Sequence, residues 1–150
     1  MLRRPVKRDR SGHYQLRLSP PERDLLRTLP EQLKALLKEG DDPGLKRLFP
    51  PAYIDDREGE AEYRRLMGDD LLEGRMAALD VMSATIDATE LDEQQLNAWL
   101  SALNDFRLFL GTQLDVSEDE IPLDTPLHQL YHYLTALQDA VISALASQYD

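Results

Sequence analysis

Along this chain the spacing of apolar residues changes period once, and the change divides it. His13-Tyr-Gln-Leu-Arg-Leu18 alternates strictly, with Tyr14, Leu16 and Leu18 on one side and His13, Gln15 and Arg17 on the other. That period of two predicts a half-buried strand. Asp9-Arg-Ser-Gly12 ahead of it is built of turn formers, so Arg3–Lys7 is expected to return as the partner strand of a hairpin. Pro5 lacks an N–H and would confine that partner to a sheet edge. From Ser19 onward the period is helical. Ser19 and Glu22 form a capping box with Pro20 in the first helical position. Leu25, Leu26, Leu29, Leu33, Leu36 and Leu37 make an apolar stripe that Gly40 would end. Pro30 lies inside the stripe and predicts a kink or a break near Leu29.

Beyond Gly40 the pattern predicts one turn over Gly44–Leu48, a halt at Pro50-Pro51 and a loop from Phe49 to about Glu58. Helical spacing resumes near Gly59 with Tyr63, Leu66 and Met67, and pauses at Gly68. Asp69 can cap a longer helix with a stripe of Leu72, Met76, Leu79, Ser83 and Ile86, broadened by Leu71 and Met82. Asp92 and Gln95 repeat the capping box before Leu96, Trp99, Leu100, Leu103, Phe106 or Arg107, and Leu110, with a stop expected near Gly111. An acidic loop, Asp115–Pro122, follows. Thr125-Pro126 opens a last helix whose stripe is Leu127, Leu130, Tyr131, Leu134, Leu137, Val141 and Leu145. The fold class predicted is mainly α, a bundle of about four to five helices with a short N-terminal β-hairpin. Residues 1–150 read as a single domain, 1–18 as the hairpin arm and 19–150 as the bundle.

Composition narrows the function. The chain carries a net charge of −11, yet Arg3, Arg4, Lys7, Arg8 and Arg10 against Asp9 give residues 1–10 a charge of +4, which leaves −15 on residues 11–150. A body that acidic repels phosphate backbones, so nucleic acid contact is expected only through the basic arm. Cysteine is absent, which excludes disulfides, thiolate catalysis and thiol switching in this chain. No apolar run approaches the roughly 20 residues that span a bilayer. The basic start has no apolar segment behind it, so it is not a secretory signal and a cytoplasmic protein is the default.

Few residues point to chemistry. Asp124, His128 and His132 fall four apart on one face of the last helix, a spacing that can hold a metal. No Glu accompanies the histidines in a metalloprotease or di-iron pattern. Arg107 falls on or beside a buried stripe and is expected to need a carboxylate from Asp80, Asp87, Glu73 or Asp105, as a structural ion pair between helices. Nothing forms a nucleophile elbow, a phosphate-cradling glycine loop or a distinct acid–base pair, so an enzyme is unsupported and no cofactor is expected. Glu62-Tyr-Arg-Arg-Leu-Met-Gly-Asp-Asp70 gathers both signs of charge around an aromatic, and Phe49 and Tyr53 flank the Pro-Pro elbow. Tyr, Arg and Met are frequent in interface cores.

Four blocks carry a family resemblance. Arg47-Leu-Phe-Pro-Pro-Ala-Tyr, Ala61-Glu-Tyr-Arg-Arg-Leu-Met-Gly-Asp-Asp-Leu, Trp99-Leu-x-Ala-Leu-Asn-Asp-x-Arg-Leu and Leu110-Gly-Thr-x-Leu-Asp-Val resemble the actinobacterial domain of unknown function 2017. The opening Tyr14-x-Leu-Arg-Leu with Glu22-x-x-Leu-Leu fits as well. The resemblance implies a cytoplasmic protein associated with transcriptional regulation under oxidative stress, acting on an RNA polymerase sigma factor in a thiol-dependent way. It implies no catalytic residues. The missing cysteines depart from the family pattern, so a disulfide-switched form of that role is closed to this chain.

The function expected is therefore a regulatory protein–protein interaction module whose partner is a sigma factor or RNA polymerase. Arg3, Arg4, Arg8, Phe49, Tyr53, Tyr63, Arg64 and Arg65 are its candidate partner-binding residues. No membrane contact is expected, and homodimerisation stays open. The alternative is a metal- or small-molecule-binding enzyme using the face of Asp124, His128 and His132.

Overall fold

The computed structural model describes residues 4–39, 72–117 and 125–147. Strands β1 (Val6–Arg8) and β2 (Tyr14–Leu16) form the hairpin, and β3 (Glu90–Leu91) adds a third strand. The order is β1-β2-β3, antiparallel throughout, with Val6 opposite Leu16, Lys7 opposite Gln15 and Tyr14 opposite Leu91. β1 is an edge strand as expected, but it starts at Val6, after Pro5, and runs to Arg8 rather than over Arg3–Lys7. β3 has no sequence signature because two residues show no period. It forms where the chain crosses from one helix to the next beside β2, where the Leu16 N–H donates to the Thr89 carbonyl at 2.8 Å.

Four helices follow among the described residues: α1 (Pro20–Glu39), α2 (residues 72–84), α3 (Glu93–Ser117) and α4 (Pro126–Ala146). Three of the expected caps are made, and the fourth, Asp69, lies outside the described residues. Ser19 N–H donates to Glu22 Oε1 at 3.1 Å, and Glu22 N–H donates to Ser19 Oγ at 3.3 Å. The same exchange joins Asp92 and Gln95 at 2.9 and 2.7 Å, and Thr125 caps α4 with Pro126 in the first position. Each satisfies N–H groups that a helix start leaves without partners.

The core lies between the sheet and the helices. Tyr14, Leu16 and Leu18 are buried on the predicted face, with Leu26, Leu33 and Leu37 from α1 and Leu79 and Met82 from α2. Leu96, Trp99, Leu103 and Phe106 from α3 meet Leu134, Leu137 and Val141 from α4. Trp99, fully buried, donates its indole N–H to Thr85 Oγ1 at 2.7 Å, and Thr85 donates on to the Val81 carbonyl at 2.7 Å. A large apolar ring is thereby enclosed without an orphaned donor.

Four expectations are corrected. α1 runs unbroken through Pro30, because Leu26 on one side of it and Leu33 and Leu37 on the other pack into one core, which outweighs one missing hydrogen bond. α3 continues past Gly111 to Ser117. A glycine costs a helix only about 1 kcal/mol, and buried Phe109 and Leu110 hold this turn down. Leu25 is 42% exposed and Leu127 36%, since each sits at the margin of a stripe wider than the surface that covers it. Arg107 meets no carboxylate among the described residues. Its Nε donates to Thr135 Oγ1 at 3.0 Å and its Nη1 to Gln138 Oε1, while the guanidinium lies 5.5 Å from the Tyr131 ring. The buried carboxylate, Asp105, pairs with Arg75 of α2 instead.

Candidate partner-docking surface

The hairpin presents opposite faces to core and solvent because its residues alternate. Val6, Tyr14 and Leu16 point inward, leaving Lys7 and Gln15 outward as a cross-strand pair. The turn is fixed locally. Gly12 adopts φ +88°, a left-handed conformation that suits glycine. Asp9 Oδ1 accepts from the Ser11 N–H at 2.9 Å, the Ser11 hydroxyl at 2.6 Å and the His13 N–H at 3.2 Å. The Ser11 hydroxyl above all, with those backbone N–H groups, holds the Asp9 carboxyl below its ordinary range against the opposing effect of desolvation. His13 Nδ1 stands 2.9 Å from Ser11 Oγ and 3.5 Å from Glu90 Oε1. Asp9, His13 and Glu90 thus form a cluster at the turn, with ligand-type atoms within 4.8 Å of one another.

The cations of the molecule fall into two groups. Arg23, Arg27, Lys34 and Arg75 of the helices are used internally. Arg23 donates to four backbone carbonyls: Leu18 (3.3 Å), Ile86 (2.7 Å), Ala88 (2.9 Å) and Leu16 (3.1 Å). Arg27 grips Asp87 with two bonds of 2.8 Å. Lys34 bridges to Asp80, and Arg75 to Asp105. The hairpin differs. Arg4, Lys7 and Arg10 are exposed, and with half-buried Arg17 they meet no carboxylate among the described residues. Lys7, Arg8, Asp9, Arg10, Gln15 and Arg17 line an open cleft of about 380 Å³. Arg17 Nε is buried and has no hydrogen-bond acceptor among the described residues.

Of the residues expected to bind a partner, Arg4 is displayed to solvent. Arg8 is held instead: its Nη1 donates to the Ser147 carbonyl at 2.8 Å and its guanidinium lies 5.9 Å from the Tyr14 ring, clasping the hairpin to the end of α4. Arg3, Phe49, Tyr53, Tyr63, Arg64, Arg65 and Asp124 lie outside the described residues. His128 Nδ1 is 2.7 Å from Thr125 Oγ1 at the α4 cap, and His132 is exposed with its ring edge-on to Tyr131 at 6.0 Å. Sequence reasoning counted Lys7 and Arg10 in the basic arm and set Arg17 on the polar side of its strand, but left all three off the partner-binding residues. It overlooked Arg23 altogether, because the carbonyls Arg23 binds belong to segments far apart in the chain.

No helix among the described residues is long and apolar enough to cross a membrane. No solved structure matches the chain. An AosR protein of Mycobacterium leprae is 30% identical over 128 residues, covering 70% of this chain and 59% of the relative. Proteins named oxidative stress regulator AosR from Mycobacterium bovis and Mycobacterium tuberculosis are 30% identical over 127 residues, covering 69% of this chain and 58% of each relative. The chain therefore spans less than two thirds of the length of these relatives. Residues 3–145 match the family described as Domain of unknown function (DUF2017), so nearly the whole chain takes part in the likeness, and the chain belongs to that family.

Proposed function

We propose that this protein is a regulatory component of an oxidative-stress response that works by contacting another protein, a sigma factor or another part of RNA polymerase. The observation that carries the reading is the 30% identity, over about seven tenths of the chain, to proteins named oxidative stress regulators. The divided cations support it. A fold that pairs Arg27, Lys34 and Arg75 of its helices with carboxylates, yet leaves Arg4, Lys7, Arg10 and Arg17 without carboxylates among the described residues, gathers unneutralised cations on one surface where an outside charge can meet them. Regulation in this chain runs without a thiol, since it holds no cysteine.

Deleting the gene and challenging the cells with peroxide tests the reading. Altered survival and an altered set of peroxide-induced transcripts, both restored by the intact gene, are expected. Unchanged survival together with an unchanged transcript profile would overturn it.

A further inference from the structure

The hairpin cleft combines three properties that together select a ligand class. It is cationic, with Lys7, Arg8, Arg10 and Arg17 against the single carboxylate of Asp9. That carboxylate is already engaged, its Oδ1 accepting from Ser11 and His13. Arg17 also lines it, half-buried, and meets no carboxylate among the described residues. A guanidinium that meets no carboxylate leaves its charge and its N–H groups to an acceptor entering the cleft.

We propose that this cleft receives the carboxylates of an acidic peptide segment of a partner protein, laid along the solvent face of the hairpin. The inference rests on the reading that the chain works through a protein partner, and it names the chemistry of the contact. Size decides against nucleic acid. The described cations of this arm run from Arg4 to Arg10, so the basic surface extends at most about 20 Å at the rise of a strand. Duplex DNA carries a phosphate charge every ~1.7 Å of axis. It would therefore extend past the hairpin over a body of charge −15, and charges within the ~8 Å screening length still repel at physiological salt. A few consecutive Asp or Glu residues match the cationic patch in length and end where it ends. Lys7 and Arg10 supply exposed point charges. Arg17, fixed by its backbone N–H donating to the Pro5 carbonyl at 2.7 Å, supplies the planar fork that suits a carboxylate.

Fluorescence anisotropy of the purified chain with two labelled probes tests the proposal: an oligoglutamate of about five residues and a DNA duplex of about 20 base pairs. The peptide is expected to bind at low salt and to weaken as salt rises. The charge reversals Lys7→Glu and Arg17→Glu should each cost about tenfold or more in peptide affinity, and Lys7→Gln and Arg17→Gln less, since loss of charge is milder than reversal. Lys38→Glu should change nothing, because Lys38 is exposed near the far end of α1, about 27 Å along that helix from its start. Unfolding midpoints of all variants should match the parent, which keeps a binding loss separate from a folding defect. Absence of peptide binding at low salt, binding indifferent to both reversals, or a duplex bound as tightly as the peptide would overturn it. If the peptide fails to bind while the native protein still holds a partner in cells, only the cleft assignment falls. If the peptide binds and the peroxide phenotype is absent, the cleft stands and the stress role falls.

Discussion

Arg23 closes the molecule at its most connected point. Its guanidinium binds carbonyls from β2, from the entry to α1 and from both sides of the turn that leads from α2 to β3. Charge-assisted bonds of this kind contribute about 1.5–3 kcal/mol each and do not sum. Arg23→Ala is therefore expected to cost about 3 kcal/mol or more in urea unfolding, and Arg23→Lys to recover little of it, since an ammonium cannot reach four carbonyls from a planar fork. A loss under about 1 kcal/mol would show the clamp to be incidental. Asp105 acts in the opposite electrostatic sense. Burial raises its carboxyl above the ordinary value, and Arg75 draws it back in part. An acid raised by folding adds a stability that is complete below its unfolded value, near 3.8, and is lost as pH rises through its folded value. The stability gap between the parent and Asp105→Asn should accordingly narrow from below pH 3.8 toward neutrality. A gap that widened would contradict the assignment.

At the scale of elements, what was legible in the sequence is what is local. Ser19 with Glu22, Asp92 with Gln95 and Thr125 all cap as their spacing required, because a cap joins residues three apart and needs no tertiary information. The alternation of Tyr14, Leu16 and Leu18 read correctly for the same reason. What escaped was set by packing between distant segments. Pro30 did not break α1 and Gly111 did not end α3, since core contacts on both sides outweigh a local penalty. The candidate surface was half legible. Charge alternation placed Arg17 outward, but the tie between Arg8 and Ser147 joins residues 139 apart. Two measurements belong here. Gly74 lies within α2, and a Cβ built there meets nothing within 4 Å, so Gly74→Ala should stabilise by about 0.5–1 kcal/mol, and a loss on thermal unfolding would refute that. Glu22 is desolvated, but donation from the Tyr133 hydroxyl and from Ser19 brings its carboxyl net below 4.5. A lowered acid gives stability present above its unfolded value and lost as pH falls through its folded one. Glu22→Gln should therefore differ most from the parent near neutrality and converge with it in acid.

The molecule joins an acidic helical body to a small N-terminal sheet with basic residues around it, and the proposed partner contact lies at that sheet. Because the chain contains no cysteine, whatever it binds should be held equally with and without a thiol reductant, and equally after mild peroxide treatment. A reductant-dependent complex would require the thiol to reside on the partner. The most direct test of the central claim is the composition of the native complex, isolated at low salt from peroxide-treated cells and quantified by mass spectrometry, for the parent and for the doubly reversed Lys7→Glu, Arg17→Glu chain. A sigma factor or polymerase subunit is expected near one-to-one stoichiometry with the parent, and is expected to be lost from the reversed chain. A parent chain recovered without either, or a complex that survives both reversals intact, would contradict that claim.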